Sequence, residues 1–354
     1  MHIRNFLPLL LCLFVSPLWS QQIPINGVAD NTHSIYAFTN CHLVISSELE
    51  VENGTLLIQD GLILSSGLGI TIPENAIVYN LQGKYIYPSF IELRSDYGLP
   101  PVAKRKSTPR PEFVSPNNGT THWNDAIHPQ LSAFEQFQPD SKKAAELYSL
   151  GFGVVLSYPF NGIMRGGAVL VSLGDNAKGE DIIDKKAAAC YSFGKGNSSQ
   201  SYPSSLMGSI ALFRQTMYDA LWYESTKQPA SNESLRAITA NKNLPQIFDA
   251  RNYQSVLRVS KIGREFNIPF IAVAGGDEYK RINEIKGAMT PLIVPLDFPK
   301  AIDVSDPLDA EYVTLEDLKH WEMAPTNPAI ISQNGIPFAL TASANQKEFL
   351  LQRV

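Results

Sequence analysis

Two rhythms divide the pattern of apolar and polar positions along this chain. Over residues 34–87, short runs rich in β-branched and aromatic residues (IYAFTNCHLVIS, TLLIQDG, LILSSG, AIVYNL, KYIYP) are separated by Gly, Asn and Pro. No long helical period intervenes, and that texture predicts a small all-β domain. From residue 90 onward, strand-length apolar runs alternate with stretches of 3.6-residue period. Residues 90–94 read as a buried strand and 99–130 as a long, polar, Pro-rich loop. Residues 133–150 carry Phe134, Phe137, Ala144, Leu147 and Tyr148 on one side and predict a single amphipathic helix. Strands at 153–157 and 168–173 precede a long helix that starts at Pro203-Ser204-Ser205 and runs to Tyr223, with Ser as the natural cap. Strands at 246–250, 269–274, 291–296 and 337–341 then alternate with helices at 253–266, 277–286, 314–323 and 328–334.

Such alternation implies parallel βαβ units. The expected class is α/β: a small N-terminal β-sandwich over 34–87, then a TIM-like (β/α) barrel over 88–354. Roughly six of the eight strands of a full barrel are recognisable. The barrel is therefore expected to be incomplete at its C-terminal end, with the chain the front part of a longer protein that packs against its own C-terminal remainder.

The N-terminus changes the picture of where the protein works. Arg4 precedes the apolar run FLPLLLCLFV, Ser16-Pro17 breaks it, and Ser20 offers a cleavage point. This is the pattern of a signal peptide over 1–20, followed by a linker over 21–33. The run is too short for a transmembrane helix, so the protein is expected to be secreted or periplasmic. Cleavage leaves Cys41 and Cys190, too few for a disulfide framework, and both lie in apolar segments as expected of buried thiols. With 18% charged residues and a net charge of −5, the chain has no basic surface suited to nucleic acid. The one basic cluster, Lys104-Arg105-Lys106 with Arg110, is diluted in the Pro-rich loop.

Candidate chemistry is sparse. Glu92, Arg94 and Asp96 fall at i, i+2 and i+4 and would share one face of an extended strand. Two carboxylates there could hold Mg²⁺ or Ca²⁺, but Arg94 between them would repel the ion. A salt bridge of Arg94 with both is the better expectation. His122, Asp125 and His128 form a second cluster, on the long loop, at spacings that fit no standard metal signature. Glu92, Asp96 and Asp125 are the catalytic candidates, and Asp96, His122 and His128 the metal candidates. Gly275-Gly276 precedes a helix, yet Asp277 and Glu278 would repel an anion there and suit the helix dipole instead. Tyr218, Trp222 and Tyr223 have the spacing of a core-facing helix stripe.

Residues 54–98, GTLLIQDGLILSSG…IPENAIVYNLQGKYIYPSFIELRSDYG, resemble the entry region of the amidohydrolase superfamily. There an "xDGxIxxxG" turn leads to "iPxxAxxxxxxGkxxxPgfID" and then to a metal-binding His-x-His ending the first barrel strand. The runs "LGFGVVLSYPFNGIMRGG", "YPSSLMGSIALFRQTMYDALWY" and "MAPTNPAIISQNGIPFALTA" extend the resemblance along nearly the whole chain. They look like a branch of long, secreted amidohydrolase-like proteins from Bacteroidota. The resemblance implies a composite β-sandwich and (β/α)8 barrel, a zinc cofactor, and hydrolysis of non-peptide carbon–nitrogen bonds. The chain departs from the pattern where the metal should sit. Glu92 stands at the Asp of the family's Pro-Gly-Phe-Ile-Asp, and Arg94 and Asp96 take the two His positions. His33, His42, His122, His128 and His320 are the histidines left after cleavage, and none ends an expected barrel strand. The expectation is a carbon–nitrogen hydrolase at the level of the full-length protein, with this segment non-catalytic and holding no cofactor. One alternative is a pseudoenzyme barrel that binds a small-molecule or peptide ligand or serves as a scaffold in the cell envelope. The other is a hydrolase with an atypical metal site near Asp96, His122 and His128.

Overall fold

Alternation of buried positions with half-buried or exposed ones along β1 (Tyr36–Val44) seeds the first sheet. Cys41, Leu43 and Leu56 form its small core, from β1 and from β2 (Glu50–Gln59). β2 pairs antiparallel with β1 and, through a two-residue turn, with β3 (Leu62–Gly67). The turn is Asp60-Gly61, and both residues have positive φ (50° and 75°). An Asp-Gly pair is the usual solution for a hairpin loop whose twist matches its strands. β4 (Ile77–Asn80) and β5 (Tyr85–Ile86) add to β1 in parallel. This computed structural model describes residues 34–104, 111–113, 119–174, 182–227 and 230–342. The signal peptide, the linker, Arg105, Lys106 and Arg110 lie outside the described residues. The chain divides into two units between Pro88 and Ser89.

The second unit is an α/β domain around one eight-stranded sheet, ordered β13-β12-β11-β10-β9-β8-β7-β6. Its strands are β6 (Phe90–Ser95), β7 (Phe152–Ser157), β8 (Met164–Ser172), β9 (Ile182–Ser192), β10 (Gln246–Asp249), β11 (Phe270–Val273), β12 (Leu292–Pro295) and β13 (Phe338–Thr341). All neighbouring pairs are parallel except those that β8 makes with β7 and β9. The two ends of the sheet meet: Thr341 Oγ1 of β13 donates to the Glu92 carboxylate of β6, and the Ala342 amide donates to its other oxygen at 2.8 Å. The sheet thus curls into a barrel-like ring, with one carboxylate joining its edge strands.

Two expectations change here. The strand count exceeds the roughly six recognisable in sequence, and one strand is antiparallel. β9 escapes a sequence reading because in IIDKKAAACYS three charged residues follow Ile182-Ile183 and the run continues in Ala, a poor strand former. Pairing with β8 and β10 overrides that preference. The expected helix over 133–150 is broken into α1 (Ala133–Gln136) and α2 (Ser141–Ser149). Pro139 disfavours a helical residue before it, and the Asp140 side chain caps α2 by accepting from the Lys142 and Lys143 amides.

Helices connect the later strands of the sheet. They are α3 (Leu206–Ser225), α4 (Glu233–Ala240), α5 (Tyr253–Phe266), α6 (Ile282–Ala288), α7 (Pro307–Tyr312), α8 (Leu315–Met323) and α9 (Asn327–Gln333). Local signals set their ends. Asn252 caps α5 through the Ser255 amide, and Asn267 stops it in the left-handed conformation at φ 54°. Thr314 and Asp317 form a reciprocal capping box on α8. Val256, Val259 and Ile262 of α5 pack with Leu212, Phe213, Phe248 and Ile285 in the main core. On the opposite side of the sheet, Leu156, Ala168, Cys190, Ile247, Val273 and Ile293 fill the interior of the ring. Tyr218 and Trp222 of α3 are 52% and 61% exposed, against the expectation that they face the core. The low amphipathicity of α3, with apolar residues on every side, hid which face is covered.

Candidate functional site

Ile247 points into the ring, and period 2 sends Asp249, the last residue of β10, the same way. A carboxylate whose side chain is fully buried there must be answered by charge. Three guanidiniums supply it. Arg251 follows the strand and donates from Nε to both Asp249 oxygens at 3.1 Å, and from Nη2 at 3.0 Å. Arg165 donates from Nη1 at 3.1 Å, and Arg94 Nη2 lies 3.6 Å away. Burial works to raise the Asp249 pKa, but the Arg251 hydrogen bonds and the charges of Arg165, Arg94 and Arg251 hold it below the usual carboxylate range.

Each arginine is positioned by the fold. Arg94 sits near the C-terminal end of β6. Arg165 sits at the start of β8, and because that strand runs antiparallel its N-terminal end lies beside the C-terminal ends of β7 and β9. The antiparallel insertion is therefore what brings Arg165 to the mouth, the end of a (β/α) barrel where sites are built. Arg165 Nε also donates to the Gly162 carbonyl at 3.2 Å. Arg251 has φ 65°, an uncommon conformation for a non-glycine residue. Its carbonyl packs so close to Gly275 that a Cβ there would stand 2.3 Å from it, so Gly275 is required for this placement. The Phe160 ring faces Arg94 and Arg165, with guanidinium carbons 4.7 and 5.8 Å from its centroid. Tyr158 packs edge-on against Phe160, and burial raises its phenol pKa well above the usual value. The Tyr158 hydroxyl and Arg94 Nε are both buried and find no hydrogen-bond partner among the described residues. Burial also raises the Cys190 thiol, an inert neighbour in the ring interior.

The residues expected from sequence are dispersed. Glu92 is 2% exposed and joins the sheet ends, its carboxylate also accepting from the Arg94 amide at 2.8 Å. Burial raises its pKa, opposed by these hydrogen bonds. Asp96 is exposed in the turn after β6. The expected salt bridge of Arg94 with Glu92 and Asp96 gives way to one with Asp249. β6 ends at Ser95, and its pairing with β7 is irregular between Glu92 and Ser95, so the even spacing does not keep one face. His122 binds the long loop to the helices: its Nδ1 accepts from the Asn124 amide, and its Nε2 lies 3.3 Å from Thr216 Oγ1. Burial lowers its pKa to about 4, leaving a neutral ring. His128 lies against β8, its amide donating to the Met164 carbonyl, and burial lowers its pKa against the charge of Asp125. The Asp125 amide donates to Gln200 Oε1 at 2.7 Å. Glu278 accepts from the Gly275 and Gly276 amides and from Asn327, so a carboxylate of this chain occupies that glycine pair.

Zinc does not fit this donor set. It needs three or more converging N, S or O ligands, and among the described residues no three His, Cys, Asp or Glu side chains gather to hold an ion. At the mouth, Asp249 is already shared by three guanidiniums. A unit positive charge about 4 Å from a divalent ion costs on the order of 8 kcal/mol at an effective dielectric of about 20. What the arrangement can do is present fixed positive charge. Sequence reasoning missed Asp249, Arg165, Arg251, Tyr158 and Phe160. The available signal was an acidic residue closing an apolar strand, QIFD, with Arg two positions on.

No protein-family profile and no curated protein matches the chain. Among solved structures, it is similar to an amidohydrolase from Thermotoga maritima MSB8, at 18% identity and a TM-score of 0.63, covering 90% of this chain and 82% of that one. It also aligns with a prolidase complexed with N-methylphosphonate-L-proline (12% identity, TM-score 0.44, 88% and 78% covered) and with A. niger ochratoxinase (10%, 0.40, 91% and 80%). At 18% identity the first likeness establishes the fold: an N-terminal sheet unit followed by a mostly parallel α/β domain, as in that amidohydrolase.

Proposed function

We propose that this chain is an amidohydrolase-like protein whose barrel works as a ligand-binding module, without a hydrolytic zinc centre of its own. The observation that carries this reading is the gathering of Arg94, Arg165 and Arg251 around Asp249 at the mouth, where a zinc centre would need converging neutral or anionic donors. Carbon–nitrogen hydrolysis, if the full-length protein performs it, then belongs to residues outside this segment. The leader-like residues 1–20 support an exported protein, and among the described residues no helix is long and apolar enough to cross a membrane.

The test is elemental analysis of the purified protein after zinc loading, with hydrolysis assays on acylated amino acids and dipeptides. The expected result is substoichiometric zinc and no turnover by the barrel. Arg94→His with Asp96→His should not restore turnover, because Asp249 and its remaining arginines still occupy the mouth. Stoichiometric zinc that is lost in Asp96→Ala or His128→Ala would overturn the reading in favour of an atypical metal hydrolase.

A further inference from the structure

The arginine cluster holds more positive charge than its own carboxylates answer. Arg94, Arg165 and Arg251 face Asp249, and even with Glu92 ionised beside Arg94 three positive charges meet two negative ones. The Arg94 and Arg165 side chains are only 22% and 5% exposed, so water screens them little, whereas Arg251, at 61%, keeps its outer side in solvent. Two further groups lack a partner in the same place. Arg94 Nε, a donor that cannot be deprotonated, and the Tyr158 hydroxyl are both buried without a hydrogen bond among the described residues. A buried unpaired donor is costly, and a cluster of such donors is matched by an acceptor that carries charge.

We propose that the barrel mouth binds the oxyanion group of a small molecule, a carboxylate or a phosphate, through Arg94, Arg251 and the Tyr158 hydroxyl. The proposal rests on the non-hydrolytic reading above and names the ligand class for that same mouth. Asp249 is then a positioning residue. It fixes the guanidinium planes by taking Arg251 on two nitrogens and Arg165 on one, and leaves other N–H groups of these side chains to the ligand. Arg251, 61% exposed, forms the entrance, whereas Arg165 is the buried base of the cluster. The Phe160 ring packs against the Arg94 guanidinium, its centroid 4.7 Å from the central carbon.

Calorimetric titration of the full-length chain with sodium succinate and, separately, inorganic phosphate tests this, at ionic strength held constant with sodium chloride. Saturable millimolar or tighter binding of one probe is expected, and the probe that binds tells carboxylate from phosphate. Arg251→Gln should weaken it by about tenfold or more, the value of a charge-assisted hydrogen bond. Tyr158→Phe, which keeps the ring packing, should weaken it by a smaller factor. Absence of saturable binding of both probes, or equal binding by wild type and both variants, overturns the proposal. Zinc content measured on the same sample separates the two claims. Low zinc without oxyanion binding defeats only this inference, whereas stoichiometric zinc at the mouth defeats the non-hydrolytic reading on which it rests.

Discussion

Glu92 and Asp249 are two carboxylates buried to nearly the same degree in one sheet, at 2% and 3% exposure, yet their surroundings push them in opposite directions. Glu92 is met by a hydroxyl and two amides, all neutral donors, and burial prevails, raising its pKa. Asp249 is met by three guanidiniums, and their charge outweighs the same penalty, lowering its pKa. Partners rather than depth set the state of a buried acid. The difference also divides the roles: Glu92 closes the ring of strands, and Asp249 organises cations at the mouth.

The sharpest way to break this comparison is Asp249→Asn. It leaves two buried guanidiniums without a counter-charge and is expected to destabilise the protein by about 3–5 kcal/mol, read from urea unfolding midpoints. A loss below about 1 kcal/mol would mean that the arginines swing out to solvent and that the cluster is not held by its carboxylate. Glu92→Gln comes next. The amide keeps one acceptor but turns an NH₂ toward donors, at a cost of about 1–3 kcal/mol. Should it exceed the cost of Asp249→Asn, ring closure would matter more than the charged cluster.

The smallest effect is in acid. A depressed carboxylate contributes stability that is present above its unfolded pKa of about 3.9 and lost as pH falls through its folded value. Wild type should therefore lose stability below about pH 4 in a limb that Asp249→Asn lacks. Glu92 has the opposite sign. Its folded pKa is raised, so the penalty of its charged form applies above that pKa and is relieved as pH falls toward about 4.3. Glu92→Gln should accordingly steepen the net loss on acidification. His122 gives a separate limb at higher pH: its neutral ring is favoured above about 6.5, and its contribution fades as pH falls toward about 4. Stability curves of the three proteins that run parallel from neutral to strongly acidic pH would show that neither carboxylate is perturbed.

Much of this was legible along the chain, wherever the cause is local. The Asp60-Gly61 hairpin, the Asn252 and Asn267 ends of α5, the Ser205 cap of α3 and the change from a β-rich unit to α/β alternation all follow from neighbours a few residues apart. Period and capping act over that range, so sequence by itself determined them. Only the tertiary structure decided that β8 runs antiparallel and carries Arg165 to the mouth, and that β9 forms from a polar, Ala-rich segment. It alone gave Arg94 the distant Asp249 as partner instead of nearby Asp96, and joined the ends of the sheet through Glu92 and Thr341. Those outcomes depend on which strands become neighbours and in what register. A buried charge takes its partner from whatever the sheet brings within a few ångströms, not from what stands next to it in the chain.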